Sequence, residues 1–157
     1  MKAKYILGML LVLLMATTAC VYAAEATLDD YKFTIPDDYT LGEESGKILS
    51  MYNAENKSIV ALSIGKASYL KSDALSNKIN DLENKGYKVS NNRTFQYGGK
   101  DIIEIDYENN ARQYNQYMWE GDGNECIIAI YCHHLDEDPV PFEDSPIKTI
   151  VDTMDKK

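Results

Sequence analysis

Histidine, tryptophan and phenylalanine are nearly missing from this chain. Its 157 residues include 2 His, 1 Trp and 3 Phe, against 12 Tyr. The two histidines are adjacent, His133-His134, and no motif places a Ser or Cys nucleophile beside them. That speaks against the nucleophile–base arrangements of covalent hydrolases. A Gly-rich phosphate-cradling loop and a P-loop lysine are missing too, which speaks against nucleotide hydrolysis. Positive charge is in deficit, with 16 Lys and Arg against 25 Asp and Glu and a net charge of −9. A field of that sign disfavours DNA, RNA and anionic lipid surfaces. No cofactor is implied.

Cysteine is scarce as well. Of 3 cysteines, Cys20 lies near the N-terminus, and Cys126 and Cys132 share one apolar stretch. Six residues of strand separate that pair by about 20 Å, whereas a disulfide tolerates about 7 Å between Cα atoms. Even spacing puts Cys126, Ile128, Ile130 and Cys132 on one face. Both are therefore expected as buried free thiols.

Long apolar runs are limited to one. Lys2 and Lys4 precede an apolar stretch over 5–16, and small, mildly polar residues follow to Ala24. This is the order of a secretory signal, predicted over 1–23 with cleavage after Val21-Tyr22-Ala23. Two alternatives stand beside it. In one, a lipoprotein leader covers 1–19 and Cys20 carries the lipid, although Thr17 sits where Leu is usual. In the other, the segment stays uncut as an anchor about 20 residues long. All three place the remainder in the extracellular space or cell envelope, touching the membrane only through this segment. Without Lys2 and Lys4 the remainder carries about −11.

Residues 27–157 are predicted as one α+β domain. Period-two alternation predicts strands at 31–36, 47–53, 58–66, 87–97, 100–107, 111–119 and 124–133, with a brief pairing at 39–41 and a polar lead-in at 27–30. Leu75, Ile79 and Leu82 form a helical stripe, with Ser72 as N-cap and Gly86 as stop. Ile147, Ile150, Val151 and Met154 form a second, opened by Pro146. Hairpin-short connections require antiparallel pairing. The expected architecture is a central antiparallel sheet of about six strands flanked by two amphipathic helices.

Three stretches carry a family resemblance. They are Tyr31-Lys32-Phe33-Thr34-Ile35-Pro36, the run from Gly98-Gly99 through Tyr107, and the closing helix led by Glu143-Asp144-Ser145. In their order the chain resembles the Mog1/PsbP-like group of α/β/α sandwich domains. The resemblance implies a non-catalytic role, as an assembly subunit, a regulator of a small protein or an envelope lipoprotein. It names no partner beyond an unknown protein or envelope component.

Candidate sites are few. Aromatic Tyr114, Tyr117 and Trp119 share neighbouring strands with Tyr107, and whichever set escapes the core would offer a binding patch or groove. His133, His134 and Asp136 form the densest metal-capable group, able to converge only if the strand ends at Cys132. The acidic stretch 136–144 lacks EF-hand order. Asn56 and Asn92 head Asn-x-Ser/Thr glycan acceptor sequences placed in or near hairpin loops. The function expected is a secreted or surface-attached, non-enzymatic binding or assembly module. The alternative is a small extracellular hydrolase or a metal-binding envelope lipoprotein.

Overall fold

Two antiparallel meanders meet at one strand pair. The computed structural model describes residues 23–157; residues 1–22, which hold nearly all of the leader and Cys20, lie outside the description. A hairpin of β1 (Glu25–Leu28) and β2 (Tyr31–Thr34) precedes the first meander, β3 (Tyr39–Ser45), β4 (Ile48–Asn53) and β5 (Ile59–Lys66). A 3-10 turn (Ala67–Leu70) and helix α1 (Ser72–Asn84) follow. The second meander is β6 (Lys88–Tyr97), β7 (Lys100–Glu108), β8 (Arg112–Glu120) and β9 (Glu125–His134). A 3-10 turn (Phe142–Asp144), helix α2 (Pro146–Thr153) and the short β10 (Asp155–Lys156) close the chain.

The strands form a seven-stranded sheet in the order β3-β4-β5-β9-β8-β7-β6, and a three-stranded sheet in the order β1-β2-β10. This corrects the expected α+β fold with a six-stranded core. The described chain is mostly β, with ten strands in two sheets and two helices. The excess comes from short or polar strands. β1, read as a polar lead-in, pairs Leu28 with Tyr31 and Ala26 with Phe33. β3 carries few apolar residues, yet runs seven residues along the sheet edge. β10 has two residues, too few for any periodicity to show.

Local signals act where the backbone needs them. Gly98 and Gly99 both hold positive φ (56° and 76°) between Tyr97 and Lys100, the geometry of a two-residue primed hairpin turn. Gly86 (φ 85°) ends α1: its N–H donates to the Glu83 carbonyl at 2.9 Å, and the Tyr87 N–H reaches the Leu82 carbonyl at 3.0 Å. Ser72, expected as the N-cap of α1, is instead its first residue. Lys71 holds the cap position, with no side-chain cap bond.

The two faces of the large sheet are covered unequally. On one face α2, the three-stranded sheet and the 3-10 turn at Phe142 bury the main core, including Leu49, Met51, Val60, Leu62, Ile102, Tyr117, Trp119, Ile127 and Ala129. On the other, α1 packs Leu82 against Ile103, Ile105, Tyr107 and Met118, with Leu75 and Ile79 half-buried beside them. Seven strands at about 4.8 Å spacing span roughly 29 Å, whereas a helix is about 10–12 Å across. One helix therefore leaves the β3–β4–β5 half of that face open.

Coverage sets the mutational cost. Trp119→Ala, on the fully covered face, is expected to lower unfolding free energy by about 3–5 kcal/mol. Ile48→Ser, on the open face where Ile48 is 58% exposed, should stay within about 0.5 kcal/mol of wild type. Urea unfolding of both variants measures the contrast.

Candidate functional site

Strand register shows how the open face is built. Cross-strand partners share a face. One row runs Ile48–Ser63–Ile128–Met118–Ile103, the next Ser50–Ala61–Ile130–Gln116–Ile105, and the third Tyr52–Ile59–Cys132–Tyr114–Tyr107. The right-hand ends of these rows lie under α1 and Tyr87, whose ring meets Tyr107 and Tyr114 edge-on. The left-hand ends are exposed at Ile48, Tyr52 and Ile59. Between them runs a groove of about 590 Å³. Its floor is Ser63, Ile128, Ile130, Gln116 and Met118; its wall is Ala74, Leu75 and Lys78 of α1, with Tyr69 from the preceding turn.

Tyr69 is held there by a glycine. A Cβ at Gly65 would lie 2.8 Å from the Tyr69 ring, so only glycine on β5 lets the ring lie this close to the strand. The groove is mostly apolar, and its size is typical of ligand pockets. Besides Ser63, one polar group sits in its floor. Gln116 is 3% exposed. Its Nε2 donates only to the Met118 sulfur at 3.3 Å, and its Oε1 has no partner. A second cleft of about 620 Å³, between Leu70, Thr94, Lys100, Asp101, Glu120 and Gly121, is polar.

The aromatic residues singled out from sequence are not an exposed patch. Tyr117 and Trp119 are completely buried on the opposite face, packed with Phe142 and the α2 side of the core. The alternation paired them correctly, but did not say which face receives more cover. Tyr114 lies on the groove side of the sheet, half-buried and stacked on Tyr107 with ring centroids 5.0 Å apart. Burial pushes the Tyr107 hydroxyl well above its ordinary range, and the neighbouring Tyr114 and Tyr87 hydroxyls add to the shift. The residues that the aromatic argument missed are Gln116, Ile128 and Ile130. Their signal was positional, the even members of β8 and β9, and Gln116 stands out as the one amide in an apolar row.

The metal-capable set does not converge. Strand β9 continues to His134, so His133 and His134 point to opposite faces. His133 is buried and stacked on Tyr131, and Asp136 is exposed in the following turn. Among the described residues no three His, Cys, Asp or Glu side chains gather as a metal set. His133 belongs instead to a polar chain. Asn115 Nδ2 donates to Asp106 Oδ1 at 2.8 Å, which leaves Asn115 Oδ1 facing His133 Nε2 at 3.2 Å. Nε2 therefore carries the proton. Nδ1 stands 3.4 Å from Glu137 Oε2, too far for a good hydrogen bond, and has no partner. Burial holds the imidazole below its ordinary pKa; Glu137 acts weakly the other way.

Cys126 and Cys132 are free and share the groove-side face of the sheet. Cys126 is buried, and desolvation pushes its thiol up to about 11. Cys132 is half-buried, beside Tyr114. A thiol shifted upward is a poor nucleophile at neutral pH. Asn56 lies in an exposed loop, where its Oδ1 accepts from the Ser58 N–H and hydroxyl. Asn92 is exposed too, but it sits within edge strand β6 opposite Ile105 rather than in a hairpin loop.

Two outcomes follow. His133 takes up its proton at lower pH when folded than when unfolded, where it titrates near 6.5. Its contribution to stability is whole above about pH 6.5 and is lost as pH falls below it. His133→Gln should flatten the stability curve below about pH 6.5 in denaturant titrations. Gln116→Met removes an orphaned buried amide from an apolar row and should raise stability by about 1–3 kcal/mol. A loss of stability in Gln116→Met would show that the amide has a partner.

No protein-family model matches the chain, and no curated protein is similar to it in sequence.

Proposed function

We propose that this chain is an exported, non-enzymatic binding or assembly module, and that it works through the open half of its large sheet and the groove beside α1. The observation that carries this reading is the groove itself: about 590 Å³, mostly apolar, and continuous with the exposed Ile59, Tyr52 and Ile48. Contiguous apolar surface of this kind on a folded domain marks an interaction site. The charged leader followed by an apolar run supports export. Among the described residues no helix is long and apolar enough to cross a membrane. The likeness of three sequence stretches to the Mog1/PsbP-like group is our ground for reading the role as one without catalysis.

The groove makes the proposal testable. The protein should take up about one equivalent of the apolar fluorophore 1-anilinonaphthalene-8-sulfonate. Ile130→Gln, which places an amide in mid-floor, should weaken uptake about tenfold, the loss of roughly one buried apolar side chain. Equal uptake by both proteins would place the dye elsewhere and remove the groove from the argument. Export is read from the native cells. The chain should be recovered outside the cytoplasmic membrane, beginning at Ala24 or bearing lipid on Cys20. Recovery from the cytosol with Met1 in place would end that part of the reading.

A further inference from the structure

The floor of the groove contains one group that the fold leaves unsatisfied. Gln116 lies between Ile130 of β9 and Ile105 of β7 on the same face. Every packing argument at that position favours Leu, Ile or Met, the residues around it. The amide is instead buried, with its oxygen unpartnered and its nitrogen facing only a thioether, a weak acceptor. A buried polar group left in this state calls for an explanation outside the packing of the free protein.

We infer that the groove takes a short apolar segment of another polypeptide, held through the backbone N–H and C=O of one extended residue paired with the Gln116 carboxamide. This rests on the groove as the binding surface and adds the chemistry of its occupant. In an extended chain the N–H and C=O of one residue point the same way, as they do when antiparallel strands exchange both bonds. A side-chain amide presents the complementary acceptor and donor. A turn of the Gln116 side chain, whose Oε1 is closed to solvent in the free protein, brings Oε1 to the segment's N–H and frees Nε2 from the sulfur to meet its C=O. Apolar side chains on the segment then cover Ile128, Ile130 and Leu75. An acyl chain would fill the same apolar space, but it brings no donor to Oε1.

Charge narrows the occupant further. Lys78 is the one charged residue lining the groove, and no carboxylate lies within ion-pair distance of it among the described residues. A segment with a carboxylate next to its apolar residues, at its C-terminus or on a side chain, fits that rim. The groove opens toward Ala61 and Ile59, so a longer polypeptide can run out along the sheet.

Calorimetry on the full protein tests the inference. The probes are acetyl-Leu-Ala-Leu-Ala-Leu as the free acid, the same peptide methylated at every backbone nitrogen, and oleate. The peptide should bind, and its methylated form should bind about tenfold more weakly, because it has lost the donor. Gln116→Met should weaken peptide binding by a similar factor and leave oleate unchanged, while the variant is more stable than wild type. Equal binding of the two peptides, or no loss in Gln116→Met, overturns the inference. If the fluorophore binds and is displaced by oleate but not by the peptide, the inference falls and the groove stands. If the fluorophore does not bind at all, both fall.

Discussion

The pairing of β5 with β9 is the constraint on which the rest of the structure depends. Eight residue pairs, from Ile59 with Cys132 to Lys66 with Glu125, join a meander ending at residue 66 to one ending at residue 134. Every other pairing in the large sheet is between neighbours in sequence, closed by a short connection. Only this one must be formed across a helix and three strands. Its chain-entropy cost is offset by burial, since Val60 and Leu62 on β5 and Ile127, Ala129 and Tyr131 on β9 all face the main core. Without it the sheet would separate into halves of three and four strands, each with an uncovered face. The groove would not exist, because its floor crosses the join from Ser63 to Ile128 and Ile130.

The two faces then diverge because they receive different amounts of cover. The N-terminal hairpin returns to the core face, where Ile35 N–H donates to the Ala24 carbonyl, and β10 adds a third strand to it. Tyr31 fastens this small sheet to the large one. Its hydroxyl donates to Glu125 and accepts from the Asp122 N–H, in a space that a side chain on Gly121 would occupy. The opposite face has one helix for seven strands. Gln116 lies where that helix begins to leave the sheet, so burial without a partner there and exposure of Ile48 and Ile59 further out have a single geometric origin.

Several polar groups on the core face are paired, although the Tyr117 hydroxyl and His133 Nδ1 have no partner. Glu104 is buried on β7 and accepts from Arg93 of β6. Asp106 accepts from both Asn91 and Asn115, and Asn115 meets His133. These four strands exchange side-chain hydrogen bonds across the sheet. Tyr117 and His133 are sealed within the covered side of the sheet, whereas Gln116 lines an open groove, and that position gives it its weight.

Much of the fold was legible in local pattern, and the site was less so. Period-two alternation located the strands from 47 to 133, the glycine pair made its hairpin, Gly86 stopped its helix and Pro146 opened the next. Short and polar strands were not legible. β1, β3 and β10 owe their extended state to partners that a sequence window does not contain. The same limit misplaced Tyr117 and Trp119. Alternation states that they share a face, but only the position of α2 and the small sheet makes that face the interior. His133 and His134 were separable once the strand ran through them, and that run is set by pairing with Arg112 and Gln113. By itself, then, the sequence determined which residues share a face and where the chain turns, because those follow from backbone geometry over a few residues. Which face is buried, and that a groove with an unpaired amide remains on the other, was decided by the tertiary structure, because cover is a property of elements distant in the chain.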